Sequence, residues 1–270
     1  MTPNLSNAVE IELPTPAGRS WLAQPWVAPL AVFVLVTVLW EGAVRLFNPP
    51  AFILPSPVGI AQTFLANAGE LFYYGFNTFT EALGGFAIGS ALGILAAMVV
   101  ARNRWLAELL LPIAVASNSV PIVALAPIAI VWFGVGPESK VAIVAVMCFF
   151  PIMLSTVRGL TAAPPDAVAL LKSYAASDWQ IFTMLRLPSA LPFIFNALKI
   201  CTSVSMIGAI VSEFFGGAVS FLGLYIKTQA SILKTEEAWA AIVVACVYGL
   251  SFYFVVSLVE KRVMPWKRQE

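Results

Sequence analysis

A chain of 270 residues in which 60% are apolar and only 11% charged cannot cover itself for water, because soluble domains devote about a quarter of their residues to charge. The net charge of +1 excludes the basic footprint of a nucleic-acid binder, so no nucleic-acid partner is expected. The absence of histidine removes the commonest general base, zinc ligand and pH switch, and no catalytic, cofactor-binding or metal site is expected in this chain.

The first 24 residues carry Glu10, Glu12 and several prolines and lack the basic start and short apolar core of a signal peptide, so they read as a disordered cytoplasmic tail. Residues 25–262 then read as one all-α integral membrane domain, followed by a second cytoplasmic tail over 263–270. A helix needs about 20 apolar residues to cross a bilayer core. Trp26–Phe47 supplies the first span. Ser56 and Pro57 then open a helix with Ile60, Phe64, Ala68 and Leu71 at helical spacing, expected to lie at the membrane surface. Leu83–Ala101 is the second span, and its glycines at 84, 85, 89 and 93 allow a neighbouring helix to approach closely. Trp105–Phe133 is the third, broken by Pro112, Pro121 and Pro127 into a span or a span with a kinked half-span. Val141–Val157, Asn196–Phe215 and Trp239–Val259 complete about six spans. Cys148, Cys201 and Cys246 lie far apart inside apolar stretches and read as packing residues.

Eleven of the lysines and arginines fall in segments that lie inside if the N-terminus is inside, against four outside: Arg45, Lys140, Lys227 and Lys234. The positive-inside rule therefore places both termini in the cytoplasm, together with the loop from about 158 to 192. That loop is long for a connection between spans. Pro164, Pro165 and Asp166 start a helix over Ala167–Tyr174, Ala175 to Asp178 break it, and a second helix over Trp179–Leu187 is expected to end at Leu187–Pro188. Candidates for lining a pathway are Ser117, Asn118 and Ser119 beside the broken third segment and Thr202, Ser203, Ser205, Met206 and Ser212 on the fifth span. The competing reading for each hydroxyl is a bond to its own helix or a neighbour. Glu81 joins the candidates as a carboxylate at the start of the second span, while Glu213 reads as no more than an interfacial residue.

The loop Pro164–Pro192 resembles the cytoplasmic coupling loop of binding-protein-dependent ABC importer permeases. The family's glycine falls on Ala175, its isoleucine on Leu185 and its Leu-Pro on Leu187 and Pro188; its Glu-Ala-Ala falls on Ala169, Leu170 and Leu171, so the spacing is kept and the glutamate and glycine are not. Ile53–Pro57, Val120–Pro127, Trp132–Gly134, Ser139–Lys140, Phe149–Pro151 and Thr156–Leu160 are similar to one branch, which serves sulfonates, taurine, nitrate, bicarbonate, thiamin-precursor pyrimidines and riboflavin. The resemblance implies a type I ABC importer permease fold in a bacterial inner membrane and no enzyme activity in this chain, with ATP and magnesium held by a separate ATPase. It implies a cytoplasmic ABC ATPase dimer, a second and identical permease copy, a periplasmic or lipid-anchored solute-binding protein and membrane lipid as partners. It implies ATPase contacts at Asp166, Leu170, Leu171, Tyr174, Ala175, Ser177, Trp179 and Phe182, with packing under the bundle as the alternative for the last two. Glu81, together with the run Glu213–Gly217, tilts the expected solute toward a neutral pyrimidine or riboflavin type over a small anion such as a sulfonate, taurine or nitrate.

Three rivals carry less. An ion-coupled secondary transporter needs buried charge near mid-span, which the sequence barely supplies. An intramembrane enzyme needs a nucleophile beside a base, and none is recognisable. A structural scaffold has no use for the helical cytoplasmic loop. The chain also lacks the Gly-x-x-x-x-Gly-Lys-Ser/Thr phosphate loop, so any ATP chemistry belongs to a partner.

Overall fold

The computed structural model describes residues 27–117, 121, 124–217 and 220–266, and among these the chain is helical without strands. In chain order the helices are α1 (Val27–Phe47), α2 (Pro57–Arg102), α3 (Arg104–Ser117), α4 (Ala126–Phe133), α5 (Pro137–Thr161), α6 (Pro165–Ser173), α7 (Asp178–Ile181), α8 (Leu187–Glu213), α9 (Leu222–Ser231) and α10 (Thr235–Val263), with a π-helical turn over Phe182–Arg186. Five helical stretches are long and apolar enough to cross a membrane: α1, α2, α5, α10 and the run Asp178–Glu213 that contains α8.

The side-chain register fixes the directions of the long helices. Gly85 meets Val141 and Val144, Gly89 meets Ala145 and Gly93 meets Phe149, so α2 and α5 run parallel. Gly208 meets Met147 and Gly159 meets Ala190, so α8 runs antiparallel to α5. Phe79 stacks on Tyr248 and Phe86 meets Phe252 edge-on, which makes α10 parallel to α2. Two consecutive long helices that run parallel need a return crossing between them. α3 and α4 supply it. Ala114 of α3 packs beside Ala97 and Val100 at the far end of α2, and Ala126 and Ala129 of α4 pack on Ile143 near the start of α5. In place of a single third span the described residues hold two short helices, α3 continuing through Pro112 and α4 starting at Ala126 with Pro127 in its first turn.

Two boundaries differ from the sequence reading. The surface helix and the second span are one element: α2 starts at Pro57 with Ser56 capping it through Gly59 N–H at 2.9 Å, and bends only at Asn67, whose backbone leaves helical geometry. Its 46 residues make it roughly 70 Å long, so its first part extends beyond a bilayer core of about 30 Å. At the other boundary, Leu187–Pro188 does not end a helix. The π turn lets Leu187 N–H reach back to Phe182 C=O, and Pro188, lacking an N–H, sits in the first turn of α8, where none is needed. The helical run from Asp178 to Glu213 is therefore continuous.

The core lies where α5 is sandwiched by α2 and α8. Val144, Cys148, Ile152, Cys201 and Ala209 are fully buried there, with the two thiols packed against each other's backbone. The third cysteine, Cys246, is exposed, and all three are free thiols. α1 buries no residue and touches the rest through Trp40 on Trp239 and through Glu41 on Val58 N–H, leaving its apolar surface to lipid or a partner.

Candidate functional site: a helical elbow at the basic end and a charged knot at the other

Because α2, α5 and α10 run parallel, their last turns gather at one end of the bundle, bringing Arg102, Arg158, Lys261 and Arg262 together with Arg186 near the start of α8. Between α5 and α8 at this basic end, α6 and α7 form an elbow. Asp166 sits in the first turn of α6 and Lys172 in the last, both favourable to the helix dipole. Ala175 ends α6 in the left-handed region at φ 56, where the resembling family carries glycine. Ser177 then starts α7 with a reciprocal capping box: its hydroxyl accepts from Gln180 N–H, and Gln180 Oε1 accepts from Ser177 N–H at 2.8 Å. These local bonds make the elbow a defined shape rather than a slack loop.

The elbow divides the expected contact residues into two sets. Leu170 is 55% exposed and Tyr174 75% exposed, and with Asp166 and Ala175 they point outward, while Leu171 is half-buried. Ser177 is exposed at the turn. Trp179 stacks on Phe182 at 5.6 Å, and this pair walls a cavity of about 560 Å³ between the elbow and the ends of α2 and α5. Leu170, Tyr174 and Trp179 all present exposed apolar surface, Trp179 at 71% exposed while also bordering the cavity, and Phe182 is half-buried on the cavity side.

At the opposite end the structure gathers charges that the sequence reading kept apart. Glu81 of α2 is 4% exposed, Lys140 of α5 2% and Glu213 of α8 fully buried, and the three lie in mutual electrostatic contact. Glu213 is thus no interfacial residue but the centre of a knot. Its Oε2 accepts from Gly223 N–H at 2.5 Å, and Thr78, beside it, accepts from Leu222 N–H at 3.0 Å. Lys140 donates to the carbonyls of Val135 and Gly136. Among the described residues Glu81 Oε2 and Glu213 Oε1 have no hydrogen-bond partner. The knot ties the start of α9 to three spanning helices. A charge near one end of each of three apolar segments was the signal available for it in one dimension.

The α8 candidates separate in the same way. Thr202, Ser205 and Ser212 are buried, their hydroxyls donating to Lys199, Thr202 and Ala209 C=O, and Met206 is buried among α8's neighbours. Ser203 alone faces outward, on a stripe with Asn196, Ile200 and Ile207. Ser117 donates to Ile113 C=O, and Asn118 and Ser119 lie outside the described residues. A second ionic contact that was not foreseen joins α8 to α10 near the basic end, Lys199 to Glu260 at 2.6 Å. The described residues hold no cluster of three or more acidic, cysteine or histidine side chains fit for a metal ion.

Comparison with known proteins gives the arrangement a setting. A family profile described as "Binding-protein-dependent transport system inner membrane component" matches residues 89–268. The riboflavin transport system permease protein RibX of Chloroflexus aurantiacus is 32% identical over 258 residues, covering 94% of this chain and 96% of its own. The formylaminopyrimidine transport permease protein ThiX of Halalkalibacterium halodurans is 29% identical over 243 residues (90% of this chain, 96% of its own), and the taurine transport system permease protein TauC of Escherichia coli is 25% identical over 248 residues (86% of each). Among solved structures, a chain of an amino acid ABC transporter with histidines superposes with a TM-score of 0.58 at 18% identity, covering 73% of this chain and 96% of that one.

Proposed function

Because the chain belongs to the family of binding-protein-dependent inner membrane transport components, we propose that it is the permease half-site of an alternating-access importer whose α6–α7 elbow is gripped by a separate ATPase chain. The observation that carries this reading is the elbow itself: an exposed, capped helix pair whose second helix runs without a break into a spanning helix. A partner that moves the elbow moves α8. Two copies of this chain, pairing across the outward stripe of Asn196, Ile200, Ser203 and Ile207, would line the pathway with apolar and small polar groups. A solute-binding protein would deliver to the opposite end, near α9. Both termini and the elbow lie in the cytoplasm on this reading, following the charge asymmetry.

The solute is proposed to be a small heteroaromatic of the riboflavin or pyrimidine type, the solutes named for RibX and ThiX. The burial of Glu81 beside Lys140 removes its charge from that argument. A sulfonate, taurine or nitrate is the second reading, favoured by TauC. Cells deprived of this chain should lose uptake of one class and keep the other.

The elbow is tested by Leu170→Asp combined with Tyr174→Ala. Loss of a buried anchor at a protein interface costs about 2 kcal/mol or more, roughly a 30-fold weaker complex. The variant should therefore reach the membrane at normal level and fail to co-purify with its ATPase. Undiminished co-purification overturns the docking face. A maleimide attached at Ser177→Cys should react only from the cytoplasmic side in a Cys246→Ser background, and reaction from outside inverts the topology.

A further inference from the structure

We propose that the cavity under the elbow is a binding site for a phosphate-bearing anion, carried by the headgroup of an acidic phospholipid of the adjoining leaflet. Three cations from three elements converge on it: Arg102 at the end of α2, Lys172 in the last turn of α6 and Arg186 in the π turn. Asp178 is the single carboxylate in the wall, so the lining carries a surplus of two positive charges. Among the described residues none of the three cations is engaged in an ion pair. Charges that serve orientation alone need only sit at the proper end of their helices. These instead border one concavity of about 560 Å³ while each stays exposed to solvent, so an anion entering it meets all three.

The remainder of the wall selects the kind of anion. Half-buried Phe182 with Trp179 stacked on it, 71% exposed at the cavity mouth, presents an aromatic face open to the surroundings, suited to a glycerol backbone and the start of an acyl chain and poor for a fully hydrated inorganic ion. The position agrees. Arg102 lies about 30 Å along α2 from the buried Glu81, so the cavity sits one bilayer core away from the charged knot, at headgroup depth. Basic pockets between spanning helices at a cytoplasmic boundary are a recurring form of acidic-lipid recognition. A guanidinium fork at Arg102 and another at Arg186 fit phosphodiester oxygens, with Lys172 as a mobile third donor. The site shares Trp179 and Phe182 with the expected ATPase contacts and leaves Leu170 and Tyr174 free, so variants at those two positions separate it from the ATPase reading.

Native mass spectrometry of the purified chain, titrated with cardiolipin, with phosphatidylcholine and with glycerol phosphate, tests the proposal. Cardiolipin should be retained at least tenfold more strongly than either of the others. The triple variant Arg102→Gln, Lys172→Gln, Arg186→Gln should lose at least tenfold in cardiolipin retention, whereas Lys261→Gln with Arg262→Gln, two cations at the same end of the bundle but off the cavity, should change it less than twofold. Should the triple variant fail to fold, Arg186→Gln alone should lose about threefold. Glycerol phosphate binding as well as cardiolipin shows a soluble organophosphate site and overturns the lipid assignment. Equal losses in the control pair show diffuse charge attraction and overturn the site. Disappearance of bound cardiolipin when the ATPase is added, with an ATPase carboxylate cross-linking to Lys172, shows that the cavity receives the partner and overturns the proposal. Loss of ATPase docking in the Leu170→Asp, Tyr174→Ala variant with cardiolipin retained separates the two readings.

Discussion

Replacing Lys140 with methionine is expected to lower the stability of the bundle by about 1–3 kcal/mol, because it leaves the carbonyls of Val135 and Gly136 without their donor and removes the positive charge nearest Glu81 and Glu213 among the described residues. Glu81 and Glu213 approach each other from α2 and α8, and Lys140, in the first turn of α5, lies within electrostatic range of both while its ammonium is held by backbone carbonyls. The methionine matches the lysine stem in shape, so the loss is electrostatic rather than a cavity effect. Removing one carboxylate as well should restore the electrostatic part of it: Lys140→Met with Glu81→Gln should be more stable than Lys140→Met alone. Thermal unfolding of the detergent-solubilised chain across the four members of this double-mutant cycle gives the coupling directly. If the single and double variants melt together with the parent, the knot contributes no net stability.

Gly89→Leu should prevent stable association of α2 with α5. A Cβ at Gly89 would run into the carbonyl of Ala145, a backbone atom that cannot rotate aside, and the next turn is nearly as tight, with Phe149 C=O 2.7 Å from a Cβ at Gly93. Helices in lipid hold together through such close packing, since no water is expelled between them. The expected cost lies at or beyond the upper end of the roughly 1–3 kcal/mol typical of overpacking, because both helix backbones must part. Gly69 on the same helix has open space around its Cβ position, so Gly69→Ala should be neutral or stabilising. Membrane expression and resistance to proteolysis compare the two. Equal behaviour of Gly89→Leu and Gly69→Ala would show that the α2–α5 contact is not a tight one.

The long helices, the glycine face of α2, the cap at Ser56 and the break at Ala175–Ser177 were all legible in the sequence, because each follows from spacing or from one residue's backbone chemistry. The reading failed where a neighbour decides the outcome. Pro188 marks a stop in one dimension, yet a π turn absorbs it and α8 continues. Glu213 reads as a surface carboxylate because nothing local announces that Lys140 and the start of α9, remote in the chain, will enclose it. Lys199 and Glu260 meet only because α8 and α10 run antiparallel. The hydroxyls of Thr202, Ser205 and Ser212 were rightly suspected of bonding their own helix, and only the three-dimensional register singles out Ser203 as outward-facing.

The run from Asp178 to Glu213 is 36 residues of helix, roughly 54 Å from end to end. On the proposed alternating-access mechanism it is a crank: one arm protrudes at the basic end, and the other is pinned to α9 by the bond between Glu213 and Gly223. A tilt of about 5° at the driven arm carries the pinned arm sideways by about 5 Å over that length. On that mechanism, as long as the pin holds α9 does not swing without the crank, and opening at the far face and the stroke at the near face are a single movement. The compliance of that linkage is concentrated in the π turn over Phe182–Arg186, the one place where its winding departs from regular α-helix.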